Sequence, residues 1–473
     1  MINNNKYMLD RPMWEQLSFA PATGVAGTCN CDDNRRFIYT YFQTSATAAQ
    51  FWRYDTWADC WQQLATPATQ TGSVGSIRYV ESVGGAFGGT TYGSVWLLIG
   101  NGTTAYFYKF DIATNTWSAQ SIASVPATLG TDHSFTYPEP QLNNFDSAYH
   151  SGVTRTITTT GAVAVGATTI AISTLPEALI AGTRLRFGSF NITLTSAAVA
   201  GEVTLNVAAL PQGIYAGTLI ETPRGGLVQV KTTASAGNTT LTVFPLRRPL
   251  DNGSIFTVER YVVLTATAAA SATSLTVAAV NYTIESSAQA PYYGNMYMVG
   301  NNATVMYRYN VGTNTWATTS ANSANPAIPA VTGAVGGGCS IKWLPSADAN
   351  KLFIVRGNGT ANIYLYDLVA NTFSTVTFNP ATETYTTGST HSARSVGNKG
   401  YSIISAKETT GRIFEFDYSL SRMLPKMNQW LYPFGGAVQG DTASCMRSPD
   451  EVEFYYLLLH SSTGFVRCAL IDS

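Results

Sequence analysis

Two ten-residue phrases, YKFDIATNTW (Tyr108 to Trp117) and YRYNVGTNTW (Tyr307 to Trp316), nearly repeat each other 199 residues apart. Looser copies are FWRYDTWADCW (Phe51 to Trp61), NIYLYDLVANTF (Asn362 to Phe373), RIFEFDYSL (Arg412 to Leu420) and CALIDS (Cys468 to Ser473). Each carries alternating apolar residues that end in an acid or amide. Alternation of period two suits a half-buried strand, and Asp or Asn then opens a turn by accepting its own downstream backbone N–H. The turn residues form a ladder: Asp55, Asp111, Asn310, Asp367, Asp417 and Asp472. Their steps are 56, 199, 57, 50 and 55, and the step from Asp472 through the termini back to Asp55 is 56. A chain that closes on its own period is expected to form a ring.

In four copies an aromatic follows six residues after the turn residue, at Trp61, Trp117, Trp316 and Phe373, where the next antiparallel strand would begin. IGNGT (Ile99 to Thr103), VGNNAT (Val299 to Thr304) and RGNGT (Arg356 to Thr360) add a second hairpin signal, since Asn-Gly and Asn-Asn supply positive backbone angles. Small-residue segments lie further upstream: TGVAGTCNC, TGAVGGGCSIKW and GGAVQGDTASC. Each unit therefore reads as four strands, from a small-residue first strand to an aromatic-bearing last one. The last unit has only three strands between Gly435 and Ser473, and PMWEQLSF (Pro12 to Phe19) would supply its fourth. Such pairing of the ends leaves no long exposed edge.

Over residues 1–150 and 290–473 these units resemble the Kelch family of β-propellers, in which a double-glycine strand end precedes an aromatic-rich strand, an Asp turn and a Trp. IGNGTTAYFYKFDIATNTW (Ile99 to Trp117) carries the likeness, with its glycines split by Asn101. The resemblance implies an all-β, six-bladed propeller. It assigns no activity, because one fold hosts many functions.

The long step in the ladder holds a different repeat. VGATTIAISTLPEALIAGTRLRF (Val165 to Phe187) returns as VAGEVTLNVAALPQGIYAGTLIET (Val199 to Thr222), with weaker copies from Ser235 and from Ala269. Gly166, Gly201, Gly237 and Ser271 each precede an aliphatic strand residue by four positions. The expected division is propeller, first part, at 1–150; an inserted domain of four units of about 35 residues at 151–290; and propeller, second part, at 291–473. Short strands of this kind bury an apolar face only by stacking, so a β-sandwich or β-stack is expected. The interrupted blade would have its first strand near HSFTYPEP (His133 to Pro140) and its second near NMYMVG (Asn295 to Gly300). The inserted repeat is similar to segments of tailed-bacteriophage virion proteins.

Charged residues are 12% of the chain and net charge is −1, which gives little long-range attraction to nucleic acid or an anionic membrane. No sequence-specific nucleic-acid partner and no membrane insertion are expected. MINNNKYMLD lacks the basic and apolar regions of a signal peptide, so synthesis in a host cytoplasm is expected. Six cysteines (Cys29, Cys31, Cys60, Cys339, Cys445 and Cys468) without CxxC pairs read as free thiols.

Only four histidines, His133, His150, His391 and His460, are available for acid–base work. Adjacent Asp132, His133 and Ser134 point to alternate faces of a strand and cannot form a nucleophilic triad. His133, His391, Asp441, Cys29 and Cys445 fall in expected first strands, where inward side chains could ligate a transition metal; satisfied polar groups and buried thiols are the competing reading. Arg247 and Arg248 read as a solvated turn. Tyrosines and tryptophans could stack on sugars, although most fall at blade-packing positions. No catalytic, cofactor-binding or metal-binding residue is assigned, and no cofactor. The expected function is non-enzymatic: a structural component of a tailed-phage virion (tail, neck or capsid-associated), with the propeller as scaffold and the insertion as an assembly or attachment surface. Partners would be other virion proteins, copies of itself and a host-surface glycan. The alternative is a carbohydrate-binding adhesin, with a metal-using propeller enzyme third.

Overall fold

The computed structural model describes residues 14–80, 93–118, 133–137, 155–317, 331–377, 390–427 and 442–470, less short breaks within those spans; from 376 to 464 the description is of backbone alone. Every regular element described is a β-strand. Six antiparallel sheets of four strands lie outside the stretch 155–292. The first is Cys29–Asp32, Phe37–Gln43, Ala49–Asp55 and Cys60–Leu64. The second is Val74–Val80, Ser94–Gly100, Ala105–Asp111 and Thr116–Trp117, and the third is His133–Thr136, Asn295–Gly300, Tyr307–Asn310 and Thr315–Ala317. The fourth is Ser340–Trp343, Lys351–Val355, Asn362–Asp367 and Thr372–Thr377, and the fifth is Thr390–Val396, Lys399–Ser405, Ile413–Asp417 and Arg422–Met427. The sixth joins Thr442–Arg447, Glu453–Leu458 and Phe465–Leu470 to Trp14–Gln16 from the other end of the chain. The first strands of sheets one to six are neighbours in that order, and the sixth again neighbours the first.

Period-two alternation gives a sheet two faces, and among the described side chains these faces pack against adjacent sheets. In the first sheet, Tyr39, Tyr41 and Phe51 join Ile77, Leu97 and Phe110 of the second, while Ile38, Phe42 and Tyr54 join Phe465 of the sixth. Large rings fill these wedges: Phe51 and Trp117 have centroids 5.0 Å apart, Phe107 and Tyr309 4.9 Å, and Tyr54 and Phe465 4.7 Å. Edge-to-face contacts of this kind add to the burial of large apolar area.

The ladder residues Asp55, Asp111, Asn310, Asp367 and Asp417 end the third strands of their sheets; Asp472 lies outside the described residues. Asp55 Oδ1 accepts the Trp57 N–H at 2.9 Å, and Asp111 Oδ1 accepts the Thr114 N–H at 3.0 Å, the Asx turns that the pattern requires. The small-residue segments run into the first strands, whose described starts are Cys29, Ser340 and Thr442, so the last residues of each segment are in the strand and its glycines stand ahead of it. In the fourth sheet this lets the chain pass close under a hairpin: Asn358 donates to Gly337 O at 2.7 Å and Gly336 to Arg356 O at 3.2 Å. Gly357, at φ +66°, lies so close that a Cβ there would overlap the Gly336 carbonyl and the Cys339 amide.

Between the first and second strands of the third sheet, residues 155–292 form two lobes. Six positions spaced four, seven, two, three and four residues apart recur from Thr159, Leu194, Val230 and Leu264. In the first unit they are Thr159, Val163, Ile170, Ile172, Leu175 and Leu179; in the second Leu194, Ala198, Leu205, Val207, Leu210 and Ile214, and all twelve are buried. Units one and four share one core, and units two and three the other. Each pairing is reciprocal: Val163 bridges Ile284 and Leu179 bridges Ala268, as Ala198 bridges Leu250 and Ile214 bridges Ala234. The ribbon of Arg184–Thr193 against Ile255–Val263 runs through both lobes, with a register shift between Arg186 and Ser189 at Gly188 (φ 90°).

Candidate functional site: axial strands and insertion mount

Adjacent first strands are stitched by hydroxyls. Ser76 Oγ accepts the Phe135 N–H at 3.4 Å, Ser134 Oγ the Ile341 N–H at 3.2 Å, and Thr136 Oγ1 the Trp343 N–H at 3.2 Å. Side-chain acceptors thereby satisfy buried N–H groups that face no partner strand in their own sheet. Arg78 spans further, donating to Ile77 O at 3.0 Å and to Ile341 O at 3.3 Å. Burial lowers its pKa, while Cys31 and Asp32 oppose the shift.

His133, in the first strand of the third sheet, is 6% exposed. Burial lowers its pKa to about 4, opposed by the Leu98 carbonyl, so it is neutral near pH 7. Burial pushes the Cys29 and Cys31 thiols up, which keeps them protonated near neutral pH. Among the described residues no three His, Cys, Asp or Glu side chains group as metal ligands. Asp132, His150, Asp441, His460, Arg247 and Arg248 lie outside the described residues, as do the side chains of His391 and Cys445.

A repeated clasp, which the sequence pattern did not announce, joins the ends of two outer strands to the next sheet. Four residues after the ladder position stands an Asx residue in the left-handed region: Asp59 (φ 49°), Asn115 (55°), Asn314 (54°) and Asn371 (55°). Asp and Asn tolerate that conformation better than other side chains. Three are gripped by a tyrosine hydroxyl from the third strand: Tyr54 to Asp59 at 2.6 Å, Tyr309 to Asn314 at 2.9 Å and Tyr366 to Asn371 at 2.7 Å. In the second sheet Phe110 replaces the tyrosine, and Asn115 Oδ1 accepts the Ala65 N–H at 3.1 Å. Trp117 Nε1 then donates to Ala65 O at 2.7 Å. Ser18 is held in the same two ways, with its N–H on Asp59 Oδ1 at 3.0 Å and its carbonyl taking Trp61 Nε1 at 3.3 Å. Ala65 follows the outer strand of the first sheet, so Ser18 occupies the matching place after the outer strand of the sixth. The spacing of Asx to ladder residue was visible in the sequence; its bonding was not.

Among the described residues, two contacts beyond the connecting chains hold the insertion against the sheets. Ile180 packs on the cluster of Val80, Trp96 and Phe107. Arg36, in the turn between the first two strands of the first sheet, donates to Gln229 Oε1 at 3.1 Å. Its guanidinium pairs with Asp55 at 2.5 Å and lies 4.7 Å from the Trp57 ring and 5.0 Å from that of Phe37. A planar fork stacked on aromatics and fixed by a carboxylate is pre-organised to bond the amide. Arg36 and Gln229 are separated by 193 positions, and the sequence carries no signal for this joint. The outer lobe surfaces expose Val165, Val199, Val203 and Ile255.

No family pattern matches the chain, and no curated protein matches it in sequence. Among solved structures, similarity is found to the mitotic checkpoint complex, with 11% identity and TM-score 0.40 over 98% of this chain and 93% of that one. The SapL1 lectin in complex with alpha methyl fucoside is 10% identical, with TM-score 0.40 over 97% and 95%. The Malassezia sympodialis allergen Mala s 1 is 10% identical, with TM-score 0.39 over 98% and 97%.

Proposed function

We propose that the chain is a structural component of a tailed-bacteriophage virion, without catalytic activity. In this reading the six sheets are the blades of a closed propeller, and the inserted β-repeat domain is an assembly or attachment surface carried on one face. The observation that carries it is the double mount of the insertion: Ile180 in the wedge between the second and third sheets and Gln229 on the Arg36 joint. A domain held by its two connections alone would swing as on flexible linkers. A braced one presents its surface in a fixed direction, as repeated contacts within a symmetric particle require. The partners are other virion proteins and further copies of the chain. The test is mass spectrometry and gold labelling of purified particles from a host that expresses the chain. The reading expects the protein in stoichiometric amount at one location on the particle; particles of full mass and infectivity without it would overturn the reading.

A further inference from the structure

Among the described residues, the fourth strand of each of the six sheets has no neighbour on its outer side. Such edges present open backbone N–H and C=O groups to another strand, and proteins blunt them by shortness, charge, proline or a bulge. Most of these edges are blunted or engaged. Thr116–Trp117, Thr315–Ala317 and Trp14–Gln16 span two or three residues, and Glu15 of the last pairs with Arg467 at 2.7 Å. Arg422–Met427 carries two cations, a proline without an N–H, and an extra residue where its register shifts. Cys60–Leu64 is five residues long and uncharged, but its exit is taken by the second sheet through Ala65. The outer edge of the fourth sheet is the exception. Thr372–Thr377, TFSTVT, is six residues long, pairs with Asn362–Asp367 at every position without a register shift, and has neither charge nor proline. Its Thr372, Ser374 and Thr375 are exposed. By the order seen in the first two sheets, the turn of the fifth would clasp the end of this strand. The sequence there has Ser421 and Met423 where those clasps have an Asx residue and an indole.

We propose that the outer edge of the fourth sheet is a self-association surface, on which the same strand of a second copy pairs antiparallel. A two-fold axis normal to the sheet near Ser374 or Thr375 sets the two copies edge to edge with their faces matched, the isologous arrangement of a closed dimer. Strands joined in this way satisfy one another's open N–H and C=O groups. Charge selects the occupant. Two TFSTVT strands bring only neutral side chains opposite each other, and Thr and Ser pairs across strands are favourable. The same pairing at Arg422–Met427 would set like charges together and lose a ladder bond at its proline. The contact lies on the sheets rather than the insertion and does not depend on the virion reading, because it is a property of the purified chain.

The test is sedimentation velocity of the full chain over a range of concentrations, beside Ser374→Lys, Ser374→Glu and an equal mixture of the two. The wild type is expected to pass from monomer to dimer as concentration rises. Each variant alone should weaken the dimer by about tenfold or more, since the axis brings like charges together. The mixture should recover it, because the charges are then opposite. Position 374 is exposed, so both variants are expected to melt with the wild type. A wild type that stays monomeric at every soluble concentration overturns the proposal, and so does a dimer that neither variant weakens. A loss in both variants that their mixture does not recover also overturns it, since charge at this edge would then not control association. A monomeric chain that still incorporates into particles sinks this inference alone; absence of the chain from particles sinks the proposed function.

Discussion

The six sheets and the insertion are both built from short antiparallel strands, yet they solve burial in opposite ways. Neighbouring sheets are packed together by large rings such as Phe51, Trp96, Phe107 and Trp117. The inserted units interlock in reciprocal pairs, and medium aliphatic side chains at six fixed positions are enough. Spacing is accordingly strict in the insertion and loose in the sheets, where the ladder steps vary from 50 to 57 outside the interruption. In the sheets a hydrogen-bonded clasp holds Ser18 and Ala65 against the neighbouring sheet, and in the lobes the bridge pairs hold the units together.

If that contrast holds, the largest effect comes from removing residues 1–20. This takes away the outer strand of the sixth sheet and the Ser18 clasp, and should cost about 4 kcal/mol or more in urea unfolding. Amide protection in the two lobes should survive, because neither core contains a residue from that segment. The converse is Leu241→Ala, in the core of units two and three, with an expected cost of about 3 kcal/mol. Hydrogen exchange should then rise in that lobe and stay unchanged in the first and second sheets. Equal loss in both would dissolve the distinction.

A pH titration sharpens the sheet side. The folded pKa of His133, about 4, lies below its unfolded value near 6.5, so the unfolded chain binds the extra proton between those values. Stability is therefore full above about pH 6.5 and falls by up to about 3 kcal/mol as pH drops to about 4. His133→Leu should flatten that part of the urea midpoint against pH curve. The smallest effect belongs to the lobes. Ser271 holds the left-handed turn (φ 70°) that Gly166, Gly201 and Gly237 hold in the other units. Ser271→Gly should raise stability by about 0.5 kcal/mol in thermal melts.

Much of the all-β architecture was legible because turn chemistry is local. Asp55 and Asp111 bond backbone groups within three residues, so their role can be read one copy at a time. The same is true of Gly166 and its counterparts, where a required backbone angle selects the residue. Contacts between distant segments were not legible. Nothing near Ser18 announces that Trp61 will hold its carbonyl, and nothing near Gln229 announces Arg36. The small-residue runs were placed in the first strands, glycines included, because size alone does not separate a crowded axis from a close pass under a hairpin; Gly357 does so only through its neighbours. That burial lowers the His133 pKa and raises those of the Cys29 and Cys31 thiols could not be read from residue type alone.

The two ends of the chain meet in one sheet. In that sheet Trp14 stands opposite Cys468 in antiparallel register. Partner Cα atoms in such a ladder lie about 4.5–5.5 Å apart, within the range a disulfide spans. The variant Trp14→Cys, oxidised mildly at low protein concentration and mapped by peptide mass spectrometry, should form an intrachain bridge to Cys468 in nearly all molecules. A thiol left free at the substituted position, or joined only to another chain, would contradict the closure.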